Sequence, residues 1–105
     1  CAVEILRRNG FVVEPTTRPI KRIRLPKFNV DEIKKMAELE HGRWNAERLS
    51  AGWRLGKMKD EARKLSPYLL PWRALPPEVQ AYDHDAVRAW PSILSNAGLV
   101  VKRRP

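Results

Sequence analysis

Asn29-Val30-Asp31-Glu32-Ile33-Lys34-Lys35-Met36-Ala37-Glu38-Leu39-Glu40-His41-Gly42-Arg43-Trp44-Asn45-Ala46-Glu47-Arg48-Leu49-Ser50-Ala51 is the stretch whose reading decides the fold. It predicts one long helix. Asn29 is a good N-cap, and Glu32 three positions on completes a capping box. Asp31 and Glu32 also suit the positive end of the helix dipole. At ~100° per residue, Ile33, Met36, Ala37, Trp44 and Ala51 share one side. Leu39, Ala46, Leu49 and Trp53 fall nearly opposite. One polar stripe, Glu40, Arg43 and Glu47, is spaced for solvated ion pairs. The other carries Lys34, Glu38, His41, Asn45 and Arg48. Two apolar sides predict a helix clasped on both flanks, with the second polar stripe lodged in a crevice. Such a row either reads a ligand or forms an internal network of hydrogen bonds.

Before this helix, the chain is basic and broken by proline. Residues 15–29 read as an extended linker in which Arg18, Lys21, Arg22, Arg24 and Lys27 form a basic track. Residues 1–15 read as a closing helix and strand: Asn9-Gly10 stops the helix, and Phe11-Val12-Val13 runs to Pro15. The phrase Ile5-Leu6-x-x-x-Gly10-Phe11-Val12-Val13 returns as Ile93-Leu94-x-x-x-Gly98-Leu99-Val100-Val101. Either the two strands pair with each other, or the first unit is the remnant of an upstream α/β domain.

After the helix, Gly52 and Gly56 permit turns, and residues 57–66 form a charged loop with Asp60 as a local cap. Two prolines four apart in Pro67-Tyr68-Leu69-Leu70-Pro71-Trp72 forbid a long helix there. This segment is expected to cross the main helix and bury Leu69, Trp72 and Leu75. Pro76-Pro77 starts a helical turn, Asp83 caps a further helix, and Pro91 kinks or restarts it before Ile93 and Leu94 return to the core. Gly98 ends it, and a basic tail closes the chain at 102–105.

The 105 residues suit one small domain, with a formal net charge of +9 and a single cysteine. That charge favours acidic partners. Starting at Cys1 and not at methionine suggests a piece of a longer protein. The sequence shows no transmembrane segment and no signal peptide, and the lone cysteine fits a cytoplasmic, reducing setting. His41 and His84 are far apart, and no zinc spacing, glycine-rich phosphate loop or nucleophile elbow is present. We therefore expect no metal, no cofactor and no catalytic residue. Glu38 with His41 could form an acid/base pair, but a structural pair is the simpler reading. Binding is better supported: Trp44, Trp53, Trp72 and Tyr82 with His41 and Arg48 could form an aromatic, cationic recess, and Lys64 on the loop could close over an anion. Against this stands the reading of the tryptophans as plain core.

The block Ala37-Glu38-x-x-His41-x-x-Trp44, Gly52-Trp53-x-x-Gly56-x-x-x-Asp60, Ser66-Pro67-x-Leu69-x-Pro71-Trp72-x-x-Leu75 resembles the RyR domain, the repeat of ryanodine receptors. The following Tyr82-Asp83, Val87, Pro91-x-x-Leu94 and Gly98 look like its single-copy bacterial or phage form. The likeness spans residues 30–101. It implies a mainly α fold: a small helical domain built on an antiparallel helix pair with short terminal β-strands. In the animal channels the unit is a tandem, peripheral structural and regulatory module, neither pore nor enzyme. One copy here suggests a homodimer in place of the tandem. The tandem's long phosphorylated loop has no counterpart, so channel function is not carried over. In bacteria such domains often follow a nucleotide-binding domain, which suggests such an upstream partner. Our expectation is a non-catalytic binding or regulatory module for an anionic, nucleotide-like small molecule held near Glu38, His41, Trp44, Asn45, Arg48, Trp53, Lys64, Trp72 and Tyr82. The alternatives are a purely structural protein-interaction module, or nucleic-acid binding along the basic track.

Overall fold

A computed structural model of the chain describes residues 2–17 and 24–105. In chain order the elements are helix α1 (Ala2–Arg8), strand β1 (Phe11–Pro15), helix α2 (Val30–Ser50), strands β2 (Arg54–Leu55) and β3 (Leu65–Ser66), a 3-10 turn (Trp72–Ala74), helix α3 (Pro77–Asn96) and strand β4 (Leu99–Arg103). The fold is mainly α, with α2 and α3 packed on each other. Their antiparallel sense follows from which residues meet. Ile33, early in α2, lies with Arg88 late in α3, whereas His41 further along α2 faces Asp83 early in α3.

The start of α2 is set locally, as its sequence predicts. Asn29 Oδ1 accepts from the Glu32 backbone N–H at 2.8 Å, and Glu32 Oε1 accepts from the Asn29 N–H at 2.9 Å. The same carboxylate is also held from far along the chain: Arg103 donates to both its oxygens, at 2.6 and 2.8 Å, and to the Lys27 carbonyl at 2.7 Å. Glu32 thus pins the N-terminus of α2 to β4. Arg103 hydrogen bonding holds the Glu32 carboxyl below its ordinary value of 4.5, against the opposing effect of burial and with help from the Asn29 N–H. A carboxyl depressed in the folded state stabilises the fold above pH 4.5, and that contribution is lost as pH falls through the folded value. Glu32→Gln is therefore expected to lower the melting temperature at pH 7 and to flatten the loss of stability between pH 5 and 2, measured by circular dichroism melts across that range.

The helix–glycine–strand phrase occurs twice because both copies serve one ribbon. β1 and β4 pair antiparallel, with Phe11 opposite Arg103 and Val13 opposite Val101. Gly10 and Gly98, at φ +89° and +82°, take the left-handed turn that ends each preceding helix. The largest fully buried side chains among the described residues are Leu6, Phe11, Met36, Val87 and Val101, and they come one each from α1, β1, α2, α3 and β4. Residues 2–15 thus share the core of the helix pair. Phe28 meets Phe11 edge-on at 5.0 Å, and the Arg103 guanidinium lies 5.1 Å from the other ring's centre, that of Phe11.

Three expectations are corrected. The second apolar flank of α2 is not clasped: Leu39 and Leu49 are 38% and 51% exposed, and Ala46 is exposed too. The elements packed on α2 are α1, the 3-10 turn and α3, and α1 is too short to cover the C-terminal half of that flank. Second, α3 runs unbroken through Asp83 and Pro91, so Asp83 is no cap and Pro91 no restart. Pro91 deprives Val87 O of its usual helical donor, yet Val87, Trp90 and Pro91 are all buried on one face. Tertiary packing outweighs the local penalty. Third, continuous phase across Pro91 turns Ile93 outward, at 57% exposure, and puts Ser95 in the interior. The tryptophan that joins the buried core is Trp90, while Trp44, Trp53 and Trp72 are half-buried.

Candidate functional site

The C-terminal half of α2, the crossing segment 67–72 and the first turns of α3 enclose a recess of about 240 Å³. Its lining residues are His41, Trp44, Tyr68, Val79, Tyr82 and Asp83. The crossing segment is held by one main-chain carbonyl. Leu70 O accepts from His41 Nε2 at 2.7 Å and from Asn45 Nδ2 at 3.0 Å. A carbonyl only accepts, so His41 Nε2 carries a proton and donates it to Leu70 O, while Nδ1 faces Asp83. Asp83 Oδ2 lies 3.8 Å from that Nδ1, beyond hydrogen-bond length.

Aromatic rings stiffen the wall. His41 stacks on Trp44 at 5.6 Å and 21°, and Trp72 sits behind it, 6.0 Å from His41 and 5.6 Å from His84. The His41 side chain is 5% exposed, that of Asp83 25%. Burial raises the Asp83 carboxyl above its ordinary 3.8; the positive potential of His41 opposes this, Glu40 adds to it, and His84 opposes it more weakly. No hydrogen bond to the Asp83 carboxylate is formed among the described residues.

The nine residues expected to converge do so only in part. His41, Trp44 and Tyr82 line the recess, and Asn45 and Trp72 support it from behind. Arg48 does not point into it. Its guanidinium is held between Trp44 and Trp53, 5.6 and 5.0 Å from their ring centres. Trp53 is reached through Arg48 and is not part of the lining. Lys64 donates to the Ala51 carbonyl at 2.9 Å, closing the 57–66 loop onto the end of α2 and not over the recess. Glu38 is exposed and lies on the α1 side of α2. So the predicted polar row divides. Lys34 and Glu38 are exposed, while His41, Asn45 and Arg48 are each engaged. The reason is that α3 and the crossing segment cover this stripe only from His41 onward.

Reading along the sequence missed Tyr68, Val79 and Asp83. Asp83 had a signal, adjacent to Tyr82, but it reads as a cap as long as α3 is divided. Of the basic track, Arg18, Lys21 and Arg22 lie outside the described residues. Arg24 and Lys27 are exposed and share a shallow hollow of about 550 Å³ with Lys102 and Arg103. There, Lys102 pairs with Glu14 and Arg103 with Glu32. Among the described residues no group of three or more His, Cys, Asp or Glu side chains could hold a metal ion. Nor is any helix among them long and apolar enough to cross a membrane.

Fold and recess together define a small helical module with a short two-stranded ribbon joining its ends. The model of the RyR domain family matches residues 13–103, and the chain belongs to that family. No curated protein matches the sequence.

Proposed function

We propose that this RyR domain is a non-catalytic binding and regulatory module, and that the recess walled by His41, Trp44, Tyr68 and Tyr82 receives a small ligand. The observation that carries this reading is the division of labour around His41. Its Nε2 is spent on fixing the Leu70 carbonyl, so the imidazole acts as a rigid wall. Beside it, Tyr82 and Tyr68 stand 73% and 42% exposed at the rim, with the half-buried Trp44 between them and the buried imidazole. Exposed aromatic surface around a concave site with one convergent polar group is the usual make-up of a ligand pocket.

The anionic, nucleotide-like ligand expected from the net charge has its cations elsewhere. Arg48 lies over the Trp44 ring, 5.6 Å from its centre, and is not part of the recess lining, so phosphates of a base stacked in the recess would have to reach past that ring to meet it. A thermal-shift screen tests the reading. A ligand at about 100 times its Kd adds about 2.7 kcal/mol to stability, a shift of about 10 °C or more for a domain of this size. Tyr82→Ala should abolish that shift while leaving the unliganded melting temperature within about 3 °C, because an exposed side chain contributes within about 0.5 kcal/mol. Stabilising compounds that act equally on Tyr82→Ala would place the ligand elsewhere.

A second reading, a protein-interaction or dimerisation module, is favoured by the uncovered flank of α2 and the neighbouring turn. Leu49, Leu55 and Met58 are 51%, 55% and 77% exposed. It is tested by sedimentation velocity, in which a homodimer would appear as a concentration-dependent shift. Nucleic-acid binding along Arg24 and Lys27 would show as a steep loss of affinity with salt.

A further inference from the structure

We propose that the recess takes a methylated ammonium cation, the head of a small quaternary-ammonium compound, with Trp44, Tyr68 and Tyr82 as its aromatic walls and Asp83 as counter-charge. This deepens the binding reading above and rests on it.

The argument begins with sign. The chain carries a net charge of +9, yet among the described residues no lysine or arginine lines this recess, and the one formally charged lining group besides the imidazole is a carboxylate. The Arg48 guanidinium is already held over the rings of Trp44 and Trp53, 5.6 and 5.0 Å from their centres. Aromatic faces present the negative side of the ring quadrupole and hold cations best when water is excluded.

The degree of methylation follows from the hydrogen-bond inventory. A primary ammonium has three donors to satisfy, and the recess offers a single carboxylate and few other acceptors. A quaternary ammonium has none, so apolar and aromatic walls such as Val79, Trp44 and Tyr82 suit it. The volume of about 240 Å³ also falls below the ~300–1,000 Å³ of drug-sized sites, which favours a compact head group. Asp83 fits the same picture. It is three-quarters covered, lacks a hydrogen bond among the described residues, and is destabilised as a carboxylate by that burial. A bound cation relieves this.

The test is isothermal titration calorimetry of the whole chain with choline chloride and with its neutral isostere 3,3-dimethylbutan-1-ol, at one ionic strength and pH 7. Choline should bind about fivefold or more tightly than the isostere, in line with the known range of cation–π energies. Asp83→Asn should remove most of that preference, and Tyr82→Ala should weaken choline, with both variants melting like the parent chain. Acid should weaken choline binding by protonating Asp83; Glu40 and His41 on α2, Tyr68 on the crossing segment, and Tyr82 and His84 on α3 are the other titratable groups around it. Equal affinity for choline and the isostere, a preference unchanged in Asp83→Asn, or no choline binding at millimolar concentration overturns the cation. If another compound still loses its stabilising effect in Tyr82→Ala, the recess reading survives that failure; if none does, both fall.

Discussion

Phe11→Ala is expected to lower the unfolding free energy by about 3–5 kcal/mol and the melting temperature by ~15 °C or more. Phe11 is fully buried, in the strand that joins α1 to the ribbon. Its ring is met by Phe28 from one direction and by the Arg103 guanidinium from another. Truncation therefore opens a cavity where α1, β1, β4 and the approach to α2 converge, and the backbone of a paired strand cannot collapse to fill it. A loss of that size is a large share of the ~5–15 kcal/mol that holds a typical domain folded. Urea denaturation followed by far-ultraviolet circular dichroism measures it. A loss below about 1 kcal/mol would mean that residues 2–15 are not part of the core.

His41→Ala is expected to cost about 2–4 kcal/mol and to abolish ligand binding at the recess. The side chain is almost wholly buried, so its removal leaves a void beside Trp44 and Trp72. It also removes the shorter of the two hydrogen bonds to Leu70 O. Asn45 still reaches that carbonyl, so the acceptor is not orphaned and the cost stays below that of a bare buried polar group. What changes more is position: with one tether gone, the crossing segment carrying Tyr68 is no longer fixed against α2. Asn45→Ala removes the weaker tether and is expected to cost about 1 kcal/mol. Chemical denaturation of both variants gives the order of effects, and His41 should be the larger.

How far the sequence foretells this molecule depends on how local each signal is. The capping box at Asn29 and Glu32 was legible because donor and acceptor are three residues apart. The pairing of β1 with β4 was half legible: the helix–glycine–strand phrase is spelled twice, but its repetition alone left open whether the two strands pair or the first belongs to an upstream domain. The Glu40–Arg43–Glu47 ladder was legible from helical spacing alone, and its ion pairs form on the exposed face. The second flank of α2 was misread because apolar periodicity says which side of a helix is apolar, not whether anything is there to cover it. Pro91 was misread because its local cost is written in the sequence and the compensating burial of Val87 and Trp90 is not. The recess was half legible. His41, Trp44 and Tyr82 share a visible helical and aromatic logic. Asp83 and Tyr68 reach the same spot only once α3 is continuous and Leu70 O is tied down, and both conditions are non-local.

The same distinction explains the charge. Basic residues outnumber acidic ones, 21 to 12, but many of those described are spent on structure: Arg103 on Glu32 and Lys27, Lys102 on Glu14, Lys64 on Ala51, Arg48 on two tryptophans. Net charge is a property of the whole surface. The recess, set between two helices and the crossing segment that carries Tyr68, has its own sign.

The most direct measurement is a two-dimensional 15N NMR titration of the chain with choline chloride and, separately, with adenosine monophosphate, following the four indole Nε1–H signals and the backbone amides. The account predicts that the bound ligand moves the Trp44 indole and the amides of Tyr82 and Asp83, while the Trp90 indole in the core stays put. Shifts confined to residues 102–104, or a Trp44 signal unmoved by either compound, would contradict it.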